Sequence, residues 1–399
     1  MEDFFIMAQS RAEQSSAEQS RAEQSRAEQV QYNFVDVCKF VMAIMVVALH
    51  GQPLLDISAD GNFYLSGGIT RLGVPYFFMA SGFFLFKKFP AGVLDRQKIG
   101  LYCRRLIKIY LAWAAVYIPM IGYEILKNPS HVKGVLSVLK NFLLNGSVVY
   151  HLWYLYASVV AVWGIYFLWH RGKSMGQIIA AGAVLYLIPI FARGYYGVYV
   201  YFFPDGSMVN NVFLYLGKLF GAINGLTEGM LFMALGGLVA WKGWERCFSA
   251  GKLKLAVCVC FLGYLAELWF VYTYNLVNVG NSASFLLPPM VLSLFLLSIK
   301  IRLSNHGVYR LLRDYSLFIY LVHPWFLFIC SGIAKKMLGM EQYHLPVFVA
   351  TLLLSVAVAE VLRRCRKYKC VDWLGLRVFM ILIDVYAGLR FYLGDVRRE

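Results

Sequence analysis

The sequence predicts an all-α fold: a polytopic transmembrane helical bundle of about ten spans, with both termini in the cytoplasm. Three observations predict it. Of the 399 residues, 60% are hydrophobic and only 15% are charged, whereas a soluble domain has about 25% charged residues. The apolar residues form long runs, and many of these approach the roughly 20 residues that a membrane-spanning helix needs. The basic residues are concentrated in alternate connections between the runs, as the positive-inside rule requires.

Ten apolar runs follow one another along the chain. Most are long enough for one helical crossing of a bilayer. The fifth run is short and the sixth is long, so the ends of these two spans are left open. The runs cover residues 34–53, 68–86, 106–123, 149–169, 176–192, 212–241, 254–274, 284–300, 315–334 and 345–362.

The Lys and Arg residues divide unequally between the two alternate sets of connections. One set holds 22 of them, at 87–108, 171–173, 242–254, 300–313 and 363–369, and the other set holds 8. Because Lys and Arg resist translocation, the richer set faces the cytoplasm. With an even number of spans, the Lys and Arg content of every connection fits the side of the membrane assigned to it. Both termini then lie in the cytoplasm.

The chain divides into three parts. Residues 1–29 contain a polar repeat of the form S-R-A-E-Q, which has no apolar face to bury and is predicted to be a disordered tail. Residues 30–364 form the transmembrane domain. Residues 365–399 begin with a basic cytoplasmic segment, and charged residues interrupt the apolar stretch at 371–395. An interfacial helix is the preferred interpretation of this stretch, while an eleventh span would put the C-terminus outside.

The formal net charge of +16 would suggest nucleic-acid binding in a soluble protein. Here the basic residues lie in short clusters beside apolar runs, where they attract anionic lipid. The sequence therefore predicts membrane lipid as a partner and excludes nucleic acid.

The first apolar run carries a polar stripe. Lys39 and His50 are eleven positions apart, so they share one helical face and are separated by about 16 Å along the axis. Charged groups inside a bilayer are costly and usually functional. The structural alternative is that Lys39 extends to the interface, paired with Asp36, and that His50 simply ends the helix.

Five segments in order resemble the acyltransferase-3 family of integral membrane acyltransferases. K-FVMAIMVVAL-H at 39–50 resembles its R-x10-H motif, with Lys in place of Arg. RLGVPYFFMASGFFLFKK at 71–88 and CRRLIKIYLAW at 103–113 resemble its second span and its cytoplasmic R-x-x-R segment. HLWYL at 151–155 and IYLVHP at 319–324 also resemble family segments. These segments look like those of clostridial-type members and of the membrane half of vancomycin-resistance serine racemases.

The resemblance implies a catalytic histidine and two binding regions. His50 matches the motif histidine, and three cations on the cytoplasmic side would bind the acyl donor. Arg105 and Lys108 stand at the two positions of the R-x-x-R segment, and a Lys offers a point charge where Arg offers a planar fork. The donor-binding residues are thus Lys39, Arg105 and Lys108, and the candidates for substrate binding are Arg71, His151, Trp153, Glu228 and His323.

Each substrate-binding candidate also has a structural interpretation. Arg71 would cap the interface, and Trp153 would belong to the interfacial aromatic belt. His323, which precedes a proline, would be a satisfied interior histidine. Glu228 is a buried carboxylate that needs a partner, for which Lys39, Arg71 or a histidine are candidates. No metal site is expected.

The resemblance implies a membrane O-acyltransferase of the plasma membrane. It would use acyl-CoA, most simply acetyl-CoA, as its donor substrate, would hold no permanent cofactor, and would acylate a hydroxyl of a surface carbohydrate or glycolipid. His50 would take the hydroxyl proton, since imidazole has a pKa of roughly 6.5, or would carry the acyl group covalently. A transporter or flippase for a polar solute or lipid-linked sugar is the alternative, and an amino-acid uptake module is a third.

Overall fold

A computed structural model describes residues 31–90, 93–127, 131–142, 146, 149–204, 206–212, 215, 225–277, 283–337, 339 and 342–368. This part of the chain is helical and contains no strand. The predicted disordered tail and the predicted interfacial helix lie outside it. The numbered helices are α1 (Asn33–Gly51), α2 (Gly73–Phe86), α3 (Arg96–Val116), α4 (Ile118–Lys127), α5 (His131–Lys140), α6 (Trp153–His170), α7 (Met175–Pro189), α8 (Tyr196–Phe202), α9 (Met230–Lys242), α10 (Ala250–Thr273), α11 (Leu287–Lys300), α12 (Gly307–Gly332) and α13 (His344–Tyr368).

Six helical segments of the described chain are long and apolar enough to cross a membrane. An all-α membrane bundle is therefore confirmed, while ten spans and cytoplasmic termini stay predictions. The segments are Asn33–Gly51, Ala59–Phe86, Met175–Gly194, Ala250–Thr273, Gly307–Lys335 and His344–Arg364.

Side-chain caps fix several helix starts in the polar connections. Asp95 accepts the backbone N–H of Gln97 at 2.7 Å and so starts α3, ten residues before the apolar run at 106–123. Ser174 and Gln177 form a capping box at the start of α7. Each cap satisfies backbone N–H groups that the first helical turn leaves without partners. The cap at Asp95 explains why α3 begins well before its apolar run.

Wide π turns extend or precede several of the described helices. Those with printed bounds cover Phe63–Gly68, Ile190–Gly194, Gly225–Gly229 and Ile333–Met337. The first continues through a 3-10 turn at Ile69–Leu72 into α2, and the third leads into α9. Such turns are rare and concentrate at functional sites.

Glycines allow α2 and α9 to cross with their backbones in contact. A Cβ atom placed on Gly82 would lie 2.1 Å from the carbonyl oxygen of Met233, and one on Gly236 would lie 2.1 Å from that of Met79. Small residues are used in this way where membrane helices pack most closely. Around the crossing, Phe78, Met79 and Phe83 form part of the main apolar core.

A second group of helices packs α12 against α1 and α13. Asp56, in the connection after α1, ties this group together at one end. Its carboxylate accepts the backbone N–H groups of Tyr343 and His344, both at 2.8 Å, and lies 2.7 Å from the His344 Nδ1. The His344 backbone bond, aided by the other two, holds the pKa of the Asp56 carboxyl below its usual range. The resulting stabilisation is present above the unfolded pKa of roughly 3.9 and is lost as the pH falls further.

The glycine crossing makes a prediction about stability. Gly236→Ala would force the backbones of α2 and α9 apart, because the new Cβ meets a carbonyl oxygen rather than a flexible side chain. Overpacking of this kind costs roughly 1–3 kcal/mol. The melting temperature in detergent should fall clearly for Gly236→Ala. The melting temperature should be unchanged for Gly251→Ala on α10, where nothing lies within 4 Å of the added Cβ. Equal melting temperatures for the two variants would contradict the close crossing.

Candidate functional site

Three histidines from distant parts of the chain meet at the C-terminal end of α1. The rings of His50 and His323 are stacked, with centroids 5.6 Å apart. His151 meets His323 edge-on at 5.3 Å. Tyr150 packs against His50 at 4.3 Å, and Tyr117 packs against His151 at 5.3 Å. The structure thus brings together three histidines that the sequence singled out separately.

The proline in α12 determines the orientation of His323. Pro324 has no N–H, so it leaves the carbonyl of Tyr320 without its helical donor. The His323 Nδ1 lies 2.9 Å from that oxygen and 3.1 Å from the Ile319 oxygen. Since a carbonyl oxygen can only accept, Nδ1 carries the hydrogen and Nε2 presents a lone pair. This Nε2 is buried and has no hydrogen-bond partner in the described part of the chain.

His151 is held by its backbone and by ring contacts. The Tyr320 hydroxyl donates a hydrogen bond to the His151 carbonyl oxygen, and the Tyr117 hydroxyl donates to the Leu321 oxygen at 2.7 Å. Both ring nitrogens of His151 are buried without a hydrogen-bond partner among the described residues. Buried polar groups of this kind are costly unless a ligand or water satisfies them. The cluster therefore has unused hydrogen-bonding capacity for a ligand.

An open pocket of about 360 Å³ lies beside this end of α1. Leu49 and Gln52, which flank His50 and Gly51, line it together with Arg71. Tyr272, near the end of α10, and Asn275, which follows that helix, also line it. Both Gln52 and Asn275 have a positive φ, of 47° and 49°, and such backbone strain in non-glycine residues clusters at ligand sites.

Three charged residues lie on the distorted turns near the pocket. Arg71 is on the 3-10 turn before α2, Arg193 is within the π turn after α7, and Glu228 is within the π turn before α9. Glu228 interacts electrostatically with Arg193 and, more weakly, with Arg71. His50 also interacts electrostatically with Arg71. These turns therefore bring the histidine cluster and the charged residues into one electrostatic neighbourhood.

The opposite end of α1 carries a separate polar group. The ammonium of Lys39 lies 4.6 Å from the centre of the Phe84 ring. Lys39 also interacts electrostatically with Asp36 and with Arg313, and Asp36 forms an ion pair with Arg313 at 4.0 Å. The polar stripe predicted on α1 thus has charged residues of both signs at one end and His50 at the other.

A chain of hydroxyl groups leads from Arg105 on α3 toward the bundle interior. Arg105 interacts electrostatically with Tyr102 and Lys88. Ser81 on α2 lies 2.8 Å from the Tyr154 hydroxyl, and Tyr154 also contacts Tyr320, at 6.0 Å between ring centroids.

Two nitrogens of the Arg105 side chain are buried in the described part of the chain, whereas the Lys108 side chain is exposed on the outer face of α3. Arg105 is therefore the inward-facing member of the predicted pair.

The other predicted substrate residue, Trp153, is not in the histidine cluster. It packs against Phe78, with ring centroids 5.9 Å apart, in the main apolar core. Sequence reasoning missed Arg193 and Tyr150 as site residues. Arg193 belongs to the sparser set of basic residues, and its place between an apolar run and a glycine is a signal visible in the sequence. Tyr150 gave no signal beyond its place next to His151.

The described residues contain no group of three or more His, Cys, Asp or Glu side chains arranged to hold a metal ion. His50 and His151 each contact the ring of His323, with centroids 5.6 and 5.3 Å apart.

A model of the acyltransferase-3 family, described as an acyltransferase domain, matches residues 32–364. The chain belongs to this family. The family predicted from five short motifs is thereby confirmed, and the match covers nearly all of the predicted transmembrane domain. Residues 32–364 thus form an acyltransferase domain of this family.

The chain is also similar to curated proteins with racemase names. It is 26% identical over 324 residues to a serine/alanine racemase of Enterococcus gallinarum, covering 81% of this chain and 44% of that protein. It is 26% identical to an amino-acid racemase of Enterococcus faecalis, covering 84% of this chain and 46% of that protein. The chain thus spans less than half the length of these relatives. No solved structure matches it significantly.

Proposed function

We propose that this protein is a plasma-membrane O-acyltransferase that moves an acyl group, most simply acetyl, from cytoplasmic acyl-CoA to a hydroxyl of a surface carbohydrate or glycolipid. The observation that carries the proposal is the meeting of His50, His151 and His323 beside an open pocket. Family membership supplies the reaction class. The donor, the acceptor and the assignment of each residue are parts of the proposal.

The pocket chemistry supports a carbohydrate acceptor. Gln52, Asn62 and Asn275 provide amide groups among its lining, and amides exchange hydrogen bonds with sugar hydroxyls. The rings of Phe63 and Tyr272, with centroids 4.7 Å apart, supply an apolar surface in the same wall. A pocket with a few polar groups on an apolar wall is typical of small-molecule sites.

In the proposed reaction, His50 is the general base. It takes the proton of the acceptor hydroxyl as that oxygen attacks the carbonyl carbon of the thioester. The carbon–sulfur bond then breaks, and the proton leaves with the CoA thiolate as a free thiol. The His323 Nε2 lone pair accepts a hydrogen bond from His50 or from a second hydroxyl of the acceptor, which positions the reacting hydroxyl.

A histidine variant tests this reaction directly. General-base catalysis contributes about 10²–10⁴ in rate, so His50→Ala should lose at least about a hundredfold in transfer of labelled acetyl from acetyl-CoA to surface carbohydrate. Expression and melting temperature should match those of the wild type. If His50→Ala transferred acetyl at the wild-type rate, His50 would have a structural role and not a catalytic one. Solute flux without thioester cleavage in the wild type would favour a transporter.

His323→Asn serves as the matched control within the cluster. An Asn amide keeps a donor near the Nδ1 position, so the bond to the Tyr320 oxygen survives, but it removes the Nε2 acceptor. This variant should keep its melting temperature and lose transfer by a smaller factor than His50→Ala.

The donor side is proposed to lie at the opposite end of the bundle, where Arg105 and Lys108 would bind CoA phosphates and Lys39 would support them. Charge-assisted hydrogen bonds from guanidinium to phosphate are strong and specific. The partial burial of Arg105 beside Tyr102 supports a fixed position for its guanidinium. The exposure of Lys108 supports a looser electrostatic role.

The two cations should therefore differ in effect. Arg105→Gln should raise the apparent KM for acetyl-CoA about tenfold or more, since one lost charged hydrogen bond costs roughly 1.5–3 kcal/mol. Lys108→Gln should raise it only a few-fold. Neither change should alter the KM for the acceptor. If both variants had the wild-type KM for acetyl-CoA, Arg105 and Lys108 would not bind the donor and would serve only to set the membrane topology. The measurement is initial-rate kinetics on purified protein in nanodiscs.

Ten spans and two cytoplasmic termini are proposed for the complete bundle. Four further segments support this number beside the six long apolar helices. They are α3, α6, α11 and the run from the π turn at Gly225–Gly229 to the end of α9. The α11 helix has 14 residues, or about 21 Å, so it would need a locally thin bilayer or a polar flank.

Thiol labelling of intact cells tests this topology. Cys247 is an exposed free thiol on the proposed cytoplasmic side, and Ile57 is 63% exposed on the proposed outer side. An impermeant maleimide should label Ile57→Cys and leave the wild-type protein unlabelled until the membrane is permeabilised. Labelling of the wild type in intact cells would reverse the orientation.

A further inference from the structure

We propose that Arg71 binds an oxyanion, a carboxylate or phosphate, and that the acceptor molecule therefore carries a negative charge close to its reacting hydroxyl. The proposal deepens the proposed function, on which its acceptor part rests. The binding part stands on the pocket alone.

Arg71 is the one charged residue among those that line the described pocket. Its Nε is buried and has no hydrogen-bond partner in the described chain. The remaining lining is apolar or uncharged polar, including Asn62, Ser66 and Tyr272. An arginine side chain that lines an open pocket and retains an unused buried donor is arranged for a ligand with acceptor atoms.

The counter-charge available to Arg71 is shared. The nearby carboxylate, Glu228, interacts electrostatically with Arg193 as well as with Arg71. Asp60, near the pocket rim, accepts the hydroxyl hydrogen of Tyr272. Neither carboxylate accepts a hydrogen bond from the Nε of Arg71. Since a charge in a low-dielectric setting needs a counter-charge, the pocket favours an anionic ligand.

The guanidinium selects the shape of that ligand. Its planar fork matches the two oxygens of a carboxylate or phosphate, and the resulting hydrogen bonds are charge-assisted. Arg71 also interacts electrostatically with His50. An anion on Arg71 would therefore place its neighbouring hydroxyl near the histidine cluster. Sugar acids and phosphate-bearing glycolipids both have this chemistry.

Anion binding is measured first, without any acyl transfer. The probe is inorganic phosphate, titrated against chloride at constant ionic strength, on purified protein in nanodiscs of phosphatidylcholine. The readout is the melting temperature, because a ligand that binds the folded state stabilises it in proportion to its occupancy. Phosphate should raise the melting temperature saturably. An effect equal to that of chloride would overturn the proposal.

Variants with opposite expected effects locate the site. Arg71→Gln should weaken phosphate binding at least tenfold. Glu228→Gln should strengthen it several-fold, because it removes the competing carboxylate. Arg310→Gln, at an exposed arginine on α12, should leave it unchanged. The Glu228 variant keeps the test decisive if Arg71→Gln fails to fold. Unchanged affinity in both site variants would overturn the assignment.

The source of the oxyanion is separated by lipid composition. If the headgroup of an anionic lipid occupies Arg71, nanodiscs of phosphatidylglycerol should abolish the phosphate response that discs of zwitterionic phosphatidylcholine permit. If the anion belongs to a soluble acceptor, the response should persist in both discs. Either result supports an oxyanion site on Arg71.

An acceptor comparison separates this inference from the proposed function. With acetyl-CoA as donor, glucuronate should be acylated at least tenfold more efficiently than glucose, in kcat/KM, by the wild type. Arg71→Gln should lose that preference. Transfer without preference and without phosphate binding would sink the inference alone. Phosphate binding without transfer to any acceptor would sink the proposed function and leave the oxyanion site intact.

Discussion

The backbone contact between α2 and α9 is the constraint on which the site depends. Gly82 and Gly236 let the two helices approach until a methyl group on either would overlap a carbonyl oxygen of the other. The turn that carries Arg71 precedes α2, and the turn that carries Glu228 precedes α9. Fixing the crossing therefore fixes both turns relative to each other. In lipid, such fixing comes from close packing because the hydrophobic effect contributes little between helices.

The histidine cluster depends on a different device, a missing hydrogen-bond donor. Pro324 removes one backbone N–H from α12, and the side chain of the preceding residue takes over the carbonyl that it leaves. His323 thereby gains a fixed ring and a defined tautomer. Among the described residues, its partner His50 has no such hydrogen bond and is held by ring contacts with Tyr150 and His323. One histidine is thus locked by its own helix, while the other is set by its neighbours.

Much of the architecture could be predicted from the sequence because lipid imposes a simple rule. Every backbone polar group inside a bilayer must be satisfied within its own helix, so apolar runs identify helices reliably. The positions of Lys39 and His50 on one face followed from helical geometry alone. The family motifs then pointed to His151 and His323, which the structure places beside His50.

The remaining features could not be predicted, for physical reasons. The association of Arg193 with Glu228 joins two segments about 35 residues apart, and no local pattern records it. Trp153 has the composition of a site residue, but its ring packs in the core against Phe78. The inward position of Arg105 and the outward position of Lys108 depend on how α3 is rotated, and three residues of spacing do not determine that. Tertiary packing, rather than residue type, separates these cases.

The wide turns have a consequence for evolutionary comparison of this chain. A π turn holds one more residue than the α-helical turn it replaces, so every side chain beyond it is rotated by about 100°. Homologues that lack such a turn would align with this chain only through a gap of one residue. A single-residue insertion or deletion around Gly225–Gly229 or Ile190–Gly194 therefore rotates the side chains that follow it and changes the geometry near the site. It should not be treated as neutral variation in loop length.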